Sequence, residues 1–164
     1  MADSKIVVRE VTEADLPALR ALEDRTEGFV CDRRFQEAAS GTNHYIIAVR
    51  GDDPQGTVVL DEAEGDLQPE LRNMYVYQHA RRQGVGRTLD EFVEKFAVKL
   101  GYDEIFLGVD PDNYQAIPLY VSLGYEPTGD HRLDEVSVVE GETNDEDKPV
   151  YHDAIYRKSL KNLR

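Results

Sequence analysis

The segment Arg81-Arg82-Gln83-Gly84-Val85-Gly86-Arg87 lies between an apolar, strand-like run at 71–77 and a region with the period of an amphipathic helix. The helical period is carried by apolar residues that a glycine follows, namely Val85, Leu89, Phe92, Val93, Phe96 and Leu100, then Gly101. The segment is therefore predicted to be a strand-to-helix turn at the N-terminus of a long helix.

A turn of this kind has the chemistry of an anion site. The first backbone N–H groups of a helix have no intrahelical partner, and the helix dipole is positive there. Gly84 and Gly86 lack a Cβ, so a ligand can approach the backbone closely, and Arg81, Arg82 and Arg87 add positive charge. The pattern favours a pyrophosphate ligand; an ordinary turn with a solvated basic edge is the alternative on the pattern alone.

Two common phosphate motifs do not match this segment. No Gly-Lys-Ser/Thr follows, as a P-loop requires, and Leu89 stands where the dinucleotide fingerprint has its third glycine. The segment does resemble the R/Q-x-x-G-x-G/A signature of the GCN5-related N-acetyltransferase (GNAT) family, through Arg81, Gly84 and Gly86. That resemblance implies that residues 81–87 hold the pyrophosphate of acetyl-CoA. It also implies that the backbone at Met74 and Val76 pairs with the pantetheine arm.

A second motif at residues 113–125 strengthens the resemblance. This segment is similar to the family's N-x-x-A-x-x-L-Y-x-x-x-G-F/Y pattern at Asn113, Ala116, Leu119, Tyr120, Gly124 and Tyr125. The resemblance implies that Tyr120 is the general acid for the departing thiolate and also contacts the cofactor, and that Asn113 hydrogen-bonds the pantetheine arm. A buried core tyrosine and a helix-capping asparagine are the alternatives for these two residues.

The order of predicted elements covers nearly the whole chain. Strands are predicted at 5–9, 45–49, 57–60, 70–77, 104–109, from Tyr125, and at 150–157, with a further candidate at 136–139. Helices are predicted after a Thr12–Asp15 capping box, at 33–39, after the turn, and from a start at 110–113. We expect an α/β (α+β) fold of one GNAT-like domain, residues 5–160, with a mixed, mostly antiparallel twisted sheet flanked by helices.

Composition narrows the classes of partner. Acidic residues number 33 against 19 basic ones, for a net charge of −14, which argues against nucleic acid or an anionic membrane as the main partner. The single Cys31 and the absence of a signal-like N-terminus predict a cytoplasmic protein. The histidines show no metal-ligand spacing, so no metal site is predicted. The oligomeric state stays open, with a homodimer as the oligomer to test.

The chemistry implied by the resemblance makes three demands. A neutral amine must attack the thioester carbonyl, and the developing negative charge needs a donor, which a backbone N–H freed by a bulge near Met74 could supply. The departing thiolate needs a proton or a hydrogen bond. A thiol such as cysteine has a pKa of about 8.5 and a tyrosine phenol such as Tyr120 about 10, so transfer of the phenol proton to the thiolate is slightly unfavourable. The ammonium form of the acceptor must lose a proton, for which Glu70 is the first candidate and Glu27 and Glu62 are the next.

The acceptor is expected to be a small-molecule or peptide amine, and the acidic charge favours a cationic one. The resemblance also implies that an acidic segment at 130–148 lies near the acceptor entrance, with a solvated acidic loop that binds no ligand as the alternative. Two rival functions remain: a non-catalytic acyl-CoA-binding sensor or scaffold of the same fold, and a nucleotide-phosphate-binding protein. Turnover with an amine would separate the first rival from an enzyme. Competition between CoA and ATP would test the second.

Overall fold

The structure is a computed structural model that describes residues 5–63, 65–133 and 152–163. Its described residues form one sheet of seven strands in the order β1-β2-β3-β4-β5-β7-β6. The strands are β1 Ile6–Glu10, β2 Asn43–Arg50, β3 Asp53–Asp61, β4 Glu70–Val76, β5 Glu104–Val109, β6 Glu126–Leu133 and β7 His152–Ser159. The helices are α1 Leu16–Ala21, α2 Val30–Ala39, α3 Val85–Lys99 and α4 Ala116–Ser122.

The strand directions confirm the predicted mixed, mostly antiparallel sheet. Strands β1 to β4 form an antiparallel meander, and β7 pairs antiparallel with both β5 and β6. Strands β4 and β5 are parallel, and α3 makes the connection between them. A parallel pair needs such a crossover, because a tight turn can only reverse the chain.

Helices cover both faces of the sheet. One core includes Ile46, Leu60, Leu89, Val93 and Leu107, which places α3 against one face. The other core joins Leu16, Leu19 and Cys31 to alternate residues of β2, which places α1 and α2 on the opposite face. No helix in the described ranges has the length and apolarity needed to span a bilayer.

Several helices and strands begin at residues other than those predicted. Helix α2 begins at Val30, three residues before the prediction, and β3 begins at Asp53 rather than at Thr57. The turn between β2 and β3 is therefore much shorter than the gap between the predicted strands at 45–49 and 57–60. Pro54 fits inside the strand because the register shifts beside it, opposite Val49, and proline is tolerated at such irregularities.

Further predictions concern the residues before α1 and the residues after Tyr125. Asp15 accepts the Thr12 backbone N–H at 2.7 Å, which confirms the capping box before α1. The strand predicted from Tyr125 is β6, Glu126–Leu133, so the first residues of the acidic segment at 130–148 belong to a strand. The strand predicted at 136–139 and most of the acidic segment lie outside the described residues.

Strands β4 and β5 open a gap between them. Among the described residues, the two strands pair where Glu70, the first residue of β4, lies opposite Phe106. Strand β4 then continues beyond this pair to Val76. Strand β4 also contains the bulge expected near Met74. Thr57 pairs with Tyr75 and Val59 pairs with Arg72, so β4 carries one extra residue in this stretch. Asn73 adopts a left-handed φ of 56° there, which turns the backbone groups of the bulge away from the β3 ladder.

Candidate active site

The turn before α3 has the backbone geometry of an anion cradle. Gly84 is the N-cap of α3, with φ 81° and ψ 14°, and Arg82 also has a positive φ of 64°. The first intrahelical bond runs from the Thr88 N–H to the Gly84 carbonyl at 3.0 Å. The N–H groups of Val85 and Gly86 precede that bond, so they point outward from the positive end of a 15-residue helix.

The arginines of the turn have different surroundings. Arg81 donates through Nε to the Val76 carbonyl at 3.0 Å, and its guanidinium lies 5.5 Å from the centre of the Tyr75 ring. Arg81 therefore braces the end of β4 as well as facing the cleft. Arg82 and Arg87 are exposed and form no ion pair with the described residues. These two side chains are the ones available to an anionic ligand.

A cleft of about 580 Å³ lies between the end of β4, the turn before α3 and helix α4. Every predicted cofactor-binding residue lines this cleft except Gln83: Met74, Val76, Arg81, Arg82, Gly84, Val85, Gly86, Arg87, Asn113 and Tyr120. The side chain of Gln83 instead donates to the His79 carbonyl at 3.3 Å. Tyr75, which lies within the strand segment expected to pair with the pantetheine arm, also lines the cleft, as do Gln115, Ala116 and Leu119, which were not predicted as ligand contacts.

The cleft fits the shape and charge of acetyl-CoA. Its volume is in the range of small-molecule and cofactor sites. A Cβ added at Gly84 would meet no atom within 4 Å, so open space lies above the turn where a pyrophosphate would sit. The unpaired edge of β4 offers backbone groups to an extended amide chain. An anionic head and an apolar-lined, extended arm are therefore accommodated by residues of one continuous surface.

Asn113 contacts the start of α4 and also lines the cleft. Its side-chain oxygen accepts the Ala116 backbone N–H at 3.1 Å, which caps the start of α4. The same residue lines the cleft, so its amide N–H₂ group remains on the ligand side. Capping fixes the rotamer that presents this amide to the cleft.

Tyr120 lies at the α4 wall of the cleft. Burial raises the pKa of its phenol to about 12, and the nearby negative charge of Asp90 acts in the same direction. The phenol therefore stays protonated at physiological pH and can donate a hydrogen bond. Complete proton transfer to a thiolate becomes less favourable than for an ordinary tyrosine, because the pKa difference from a thiol grows.

The candidate bases do not line the cleft. Glu70 is 6% exposed, and its carboxylate accepts both guanidinium nitrogens of Arg132, at 2.9 and 2.7 Å. Glu62 accepts the Tyr102 hydroxyl at 2.7 Å, and Glu27 is exposed between α1 and α2. A base role for any of them stays a prediction.

Sequence reasoning missed a buried polar group beside Tyr120. Asp90 and Glu94, one turn apart on α3, are 0% and 3% exposed. They fall within the apolar stripe of α3, between Leu89 and Ala97, and that position was the available signal. Leu100, which was predicted to face the core, is instead 40% exposed.

Comparisons with known proteins agree with this geometry. Residues 8–125 match the acetyltransferase (GNAT) family. The [ribosomal protein bS18]-alanine N-acetyltransferase of Escherichia coli K12 is 29% identical over 143 residues, covering 79% of this chain and 93% of that protein. The mycothiol acetyltransferase of Jonesia denitrificans is 27% identical, covering 77% of this chain and 52% of that protein. The N-acetylaspartate synthetase of Danio rerio is 33% identical over 86 residues, covering 52% of this chain and 30% of that protein.

The chain thus spans about half or less of the length of several curated relatives. Solved structures share the fold over nearly the full chain. The ribosomal-protein-S18-alanine N-acetyltransferase from E. coli aligns with a TM-score of 0.68 and 22% identity, over 95% of this chain and 94% of that one. An aminoglycoside 6'-N-acetyltransferase complexed with coenzyme A aligns with a TM-score of 0.67 and 17% identity, over 94% and 97%. By its sequence match and its fold, the chain belongs to the acetyltransferase (GNAT) family.

Proposed function

We propose that this protein is an N-acetyltransferase that moves the acetyl group of acetyl-CoA to a primary amine of a cationic acceptor by direct attack. The observation that carries the proposal is the single cleft that joins the cationic turn, the open edge of β4 and Tyr120. Family membership adds the expectation of acetyl-CoA as the acyl donor. The cleft therefore supplies an anchor at one end and a hydrogen-bond donor at the other.

Each part of the cleft has a separate task in this proposal. Bound acetyl-CoA supplies the thioester. The α3 N-terminus with Arg82 and Arg87 binds the anionic head, and the β4 edge orients the arm. Backbone N–H groups at the Asn73–Met74 bulge are held in place before reaction, as donors to a carbonyl oxygen must be. The Tyr120 hydroxyl donates to the departing sulfur.

The opposite face of the sheet is proposed as the acceptor side. Leu107 packs into the core with α3, so its neighbour Gly108 faces the other way. A Cβ at Gly108 would meet Arg132 Nη2 at 2.9 Å and Asp153 Oδ2 at 3.3 Å, so both side chains lie over this face. Glu70 binds the same arginine. The two carboxylates, Glu70 and Asp153, outnumber the arginine with which both of them pair at this face. The local charge therefore favours an amine that carries additional positive charge.

The names of relatives indicate how broad the acceptor class is. One relative is named for a ribosomal protein alanine, and fold neighbours are named for spermidine/spermine and for aminoglycosides. All of these acceptors are amines, and the last two classes are polycationic. The acceptor panel for this protein should therefore contain polyamines, aminoglycosides, amino acids, small amines and peptides with a free N-terminus.

Free-thiol release from acetyl-CoA against this panel tests the proposal. We expect turnover with at least one cationic amine. Calorimetry with CoA provides the parallel binding measurement. Binding without turnover would favour the sensor or scaffold, and displacement of CoA by ATP would favour the nucleotide-phosphate protein. Absence of CoA binding would remove the acetyltransferase proposal altogether.

A further inference from the structure

A buried polar network connects α3, α4 and β7 behind the cleft. The Tyr125 hydroxyl donates to Asp90 Oδ1 at 2.8 Å. Lys158 Nζ lies 2.8 Å from Glu94 Oε1 and donates to the Leu123 carbonyl at the end of α4 at 2.5 Å. All of these contacts join residues that are distant in sequence, so the network attaches the α4 wall of the cleft to the long helix.

Two oxygen atoms of the network have no partner among the described residues. These atoms are Asp90 Oδ2 and Glu94 Oε2, and both are buried. Two carboxylates and one lysine ammonium leave the network one negative charge in excess. A single proton shared by the two carboxylates makes the network electrically neutral. It also allows the two unpaired oxygens to form one hydrogen bond with each other. Buried groups are stable only when they are paired in this way.

The surroundings of Asp90 favour a bound proton. Burial raises the pKa of this carboxyl to about 8, and the hydrogen bond and the negative charge of Glu94 also raise it. The hydrogen bond from Tyr125 and the positive charge of Lys158 act in the opposite direction. These residues are the titratable groups that face Asp90 from α3, β7 and the start of β6; Tyr120 faces it from α4.

The network reaches the cleft through two aromatic rings. The ring of Tyr125 meets the ring of Tyr120 edge to face, with 5.9 Å between their centres. Tyr125 is 1% exposed, and its hydroxyl is fixed by Asp90. We therefore expect the position of the Tyr120 ring to depend on the hydrogen bond that Tyr125 makes with Asp90 of α3. Small displacements of a reacting group have large effects on rate.

We propose that Asp90 is a positioning residue for acetyl transfer: it shares one proton with Glu94 and, through Tyr125, holds the Tyr120 ring at the wall of the cleft. This inference rests on the proposed function. Loss of the shared proton leaves an uncompensated negative charge beside Tyr120. That charge opposes the negative charge that develops on the departing sulfur.

Steady-state kinetics of three variants test the inference, between about pH 6 and 9.5. Asp90→Ala removes the acceptor of the Tyr125 hydroxyl, and we expect kcat to fall about 10- to 100-fold while KM for acetyl-CoA changes by less than about threefold. Asp90→Asn keeps an oxygen for Tyr125 and donates to Glu94, so it should recover most of the loss. Tyr125→Phe deletes the hydroxyl alone and should lower kcat even if Asp90→Ala does not fold.

The pH profile separates positioning from general stability. The kcat of the unmodified protein should fall as pH rises through about 8, and Asp90→Asn should lose this fall because its amide does not ionise. Glu91→Gln, on the exposed side of α3, is the matched control and should keep the unmodified profile. Equal losses in folded Asp90→Ala and Asp90→Asn, or an unchanged pH fall in Asp90→Asn, would overturn the inference.

Infrared difference spectroscopy provides a measurement that needs no acceptor. The carbonyl-stretch band of a protonated carboxyl group should be present near neutral pH and absent in Asp90→Asn. A spectrum without that band would overturn the shared proton. Failure of the unmodified protein to acetylate any amine would remove the proposed function and with it the positioning role, even with the band present. Turnover with an unaltered profile in Asp90→Asn would remove the Asp90 inference alone.

Discussion

At the scale of single residues, Tyr120 is the side chain that the proposed chemistry uses most directly. Its phenol lines the cleft, and burial raises its pKa to about 12. The difference from a thiol of pKa about 8.5 is roughly 3.5 units, so complete proton transfer costs about 5 kcal/mol. Tyr120 is therefore better suited to donating a strong hydrogen bond as the thiolate forms than to releasing its proton early.

Replacement of this tyrosine gives a first prediction. Tyr120→Phe should lower kcat by about 10²- to 10⁴-fold, the range for general acids. The KM for acetyl-CoA should change little, because the hydroxyl acts mainly in the transition state. Thiol-release kinetics at saturating acceptor provide the measurement. A Phe variant that turns over at full speed would mean that solvent protonates the thiolate.

Asp90 gives a second prediction, about stability and pH. Its carboxyl has a pKa raised by burial from the usual 3.8 to about 8, so the folded protein binds a proton that the unfolded chain has released. This contribution to stability is complete below about pH 4 and is lost as pH rises through about 8. Asp90→Asn should therefore flatten the decline of Tm between about pH 5 and 8.5, whereas Glu91→Gln should not. Parallel Tm curves for Asp90→Asn and the unmodified protein would contradict this.

At the scale of secondary structure, the turn and α3 act as one unit. Gly84 needs its left-handed φ of 81°, whereas Gly86 lies in the first turn of the helix with ordinary geometry. A Cβ on Gly86 would meet Leu119 at 3.4 Å and Met74 at 3.8 Å, which are normal contact distances. The protein itself therefore has room for a methyl group at Gly86, so an effect of Gly86→Ala on binding reports the ligand.

The third prediction uses this difference between the glycines. Gly86→Ala should preserve or raise Tm, because alanine is favoured over glycine in a helix by about 1 kcal/mol. The same variant should weaken CoA binding, since its methyl group enters the cleft. Gly86→Asp should weaken it further, because a negative charge then faces the pyrophosphate. Calorimetry that finds unchanged CoA affinity in folded Gly86→Asp would exclude the turn as the site.

At the scale of the whole molecule, charge is distributed unevenly. The chain carries a net charge of −14, yet Arg81, Arg82 and Arg87 gather at the cofactor side. Once an anionic ligand occupies that turn, the rest of the surface is more acidic than the total indicates. A surface of one sign concentrates ligands of the opposite sign, and salt screens the effect.

The fourth prediction follows from that distribution. The KM for the amine should rise with ionic strength, while kcat at saturating amine should change much less. Neutralising the acidic residues among 130–148 should raise the KM for the amine at low salt. Glu91→Gln on α3, which removes the same charge per site, is the control and should leave that KM unchanged. A screen in which neutral or anionic amines outperform polyamines and basic peptides would contradict a cationic acceptor.

Local patterns predicted the turn, the helical period of α3 and the presence of α4, because each depends on residues that are close in sequence. They placed Leu100 in the core and a helix start at 110–113, whereas Leu100 is exposed and α4 begins at Ala116. Two glycines at a helix N-terminus favour an anion site on local grounds alone, and the bulge expected near Met74 lies within β4. The parallel step from β4 to β5 was also predictable, since a long helix between two apolar strands has few other topologies.

The sequence by itself determined the family, the order of elements and most of the cleft lining, because these depend on residue types at short, fixed spacings. Only the tertiary structure decided that Asp90 and Glu94 are buried, since a helical period identifies a face of α3 but not how deeply each residue on it lies. It also decided that Glu70 is held by Arg132, 62 residues away. Contacts between distant residues depend on how strands and helices pack together, and no local pattern encodes that packing.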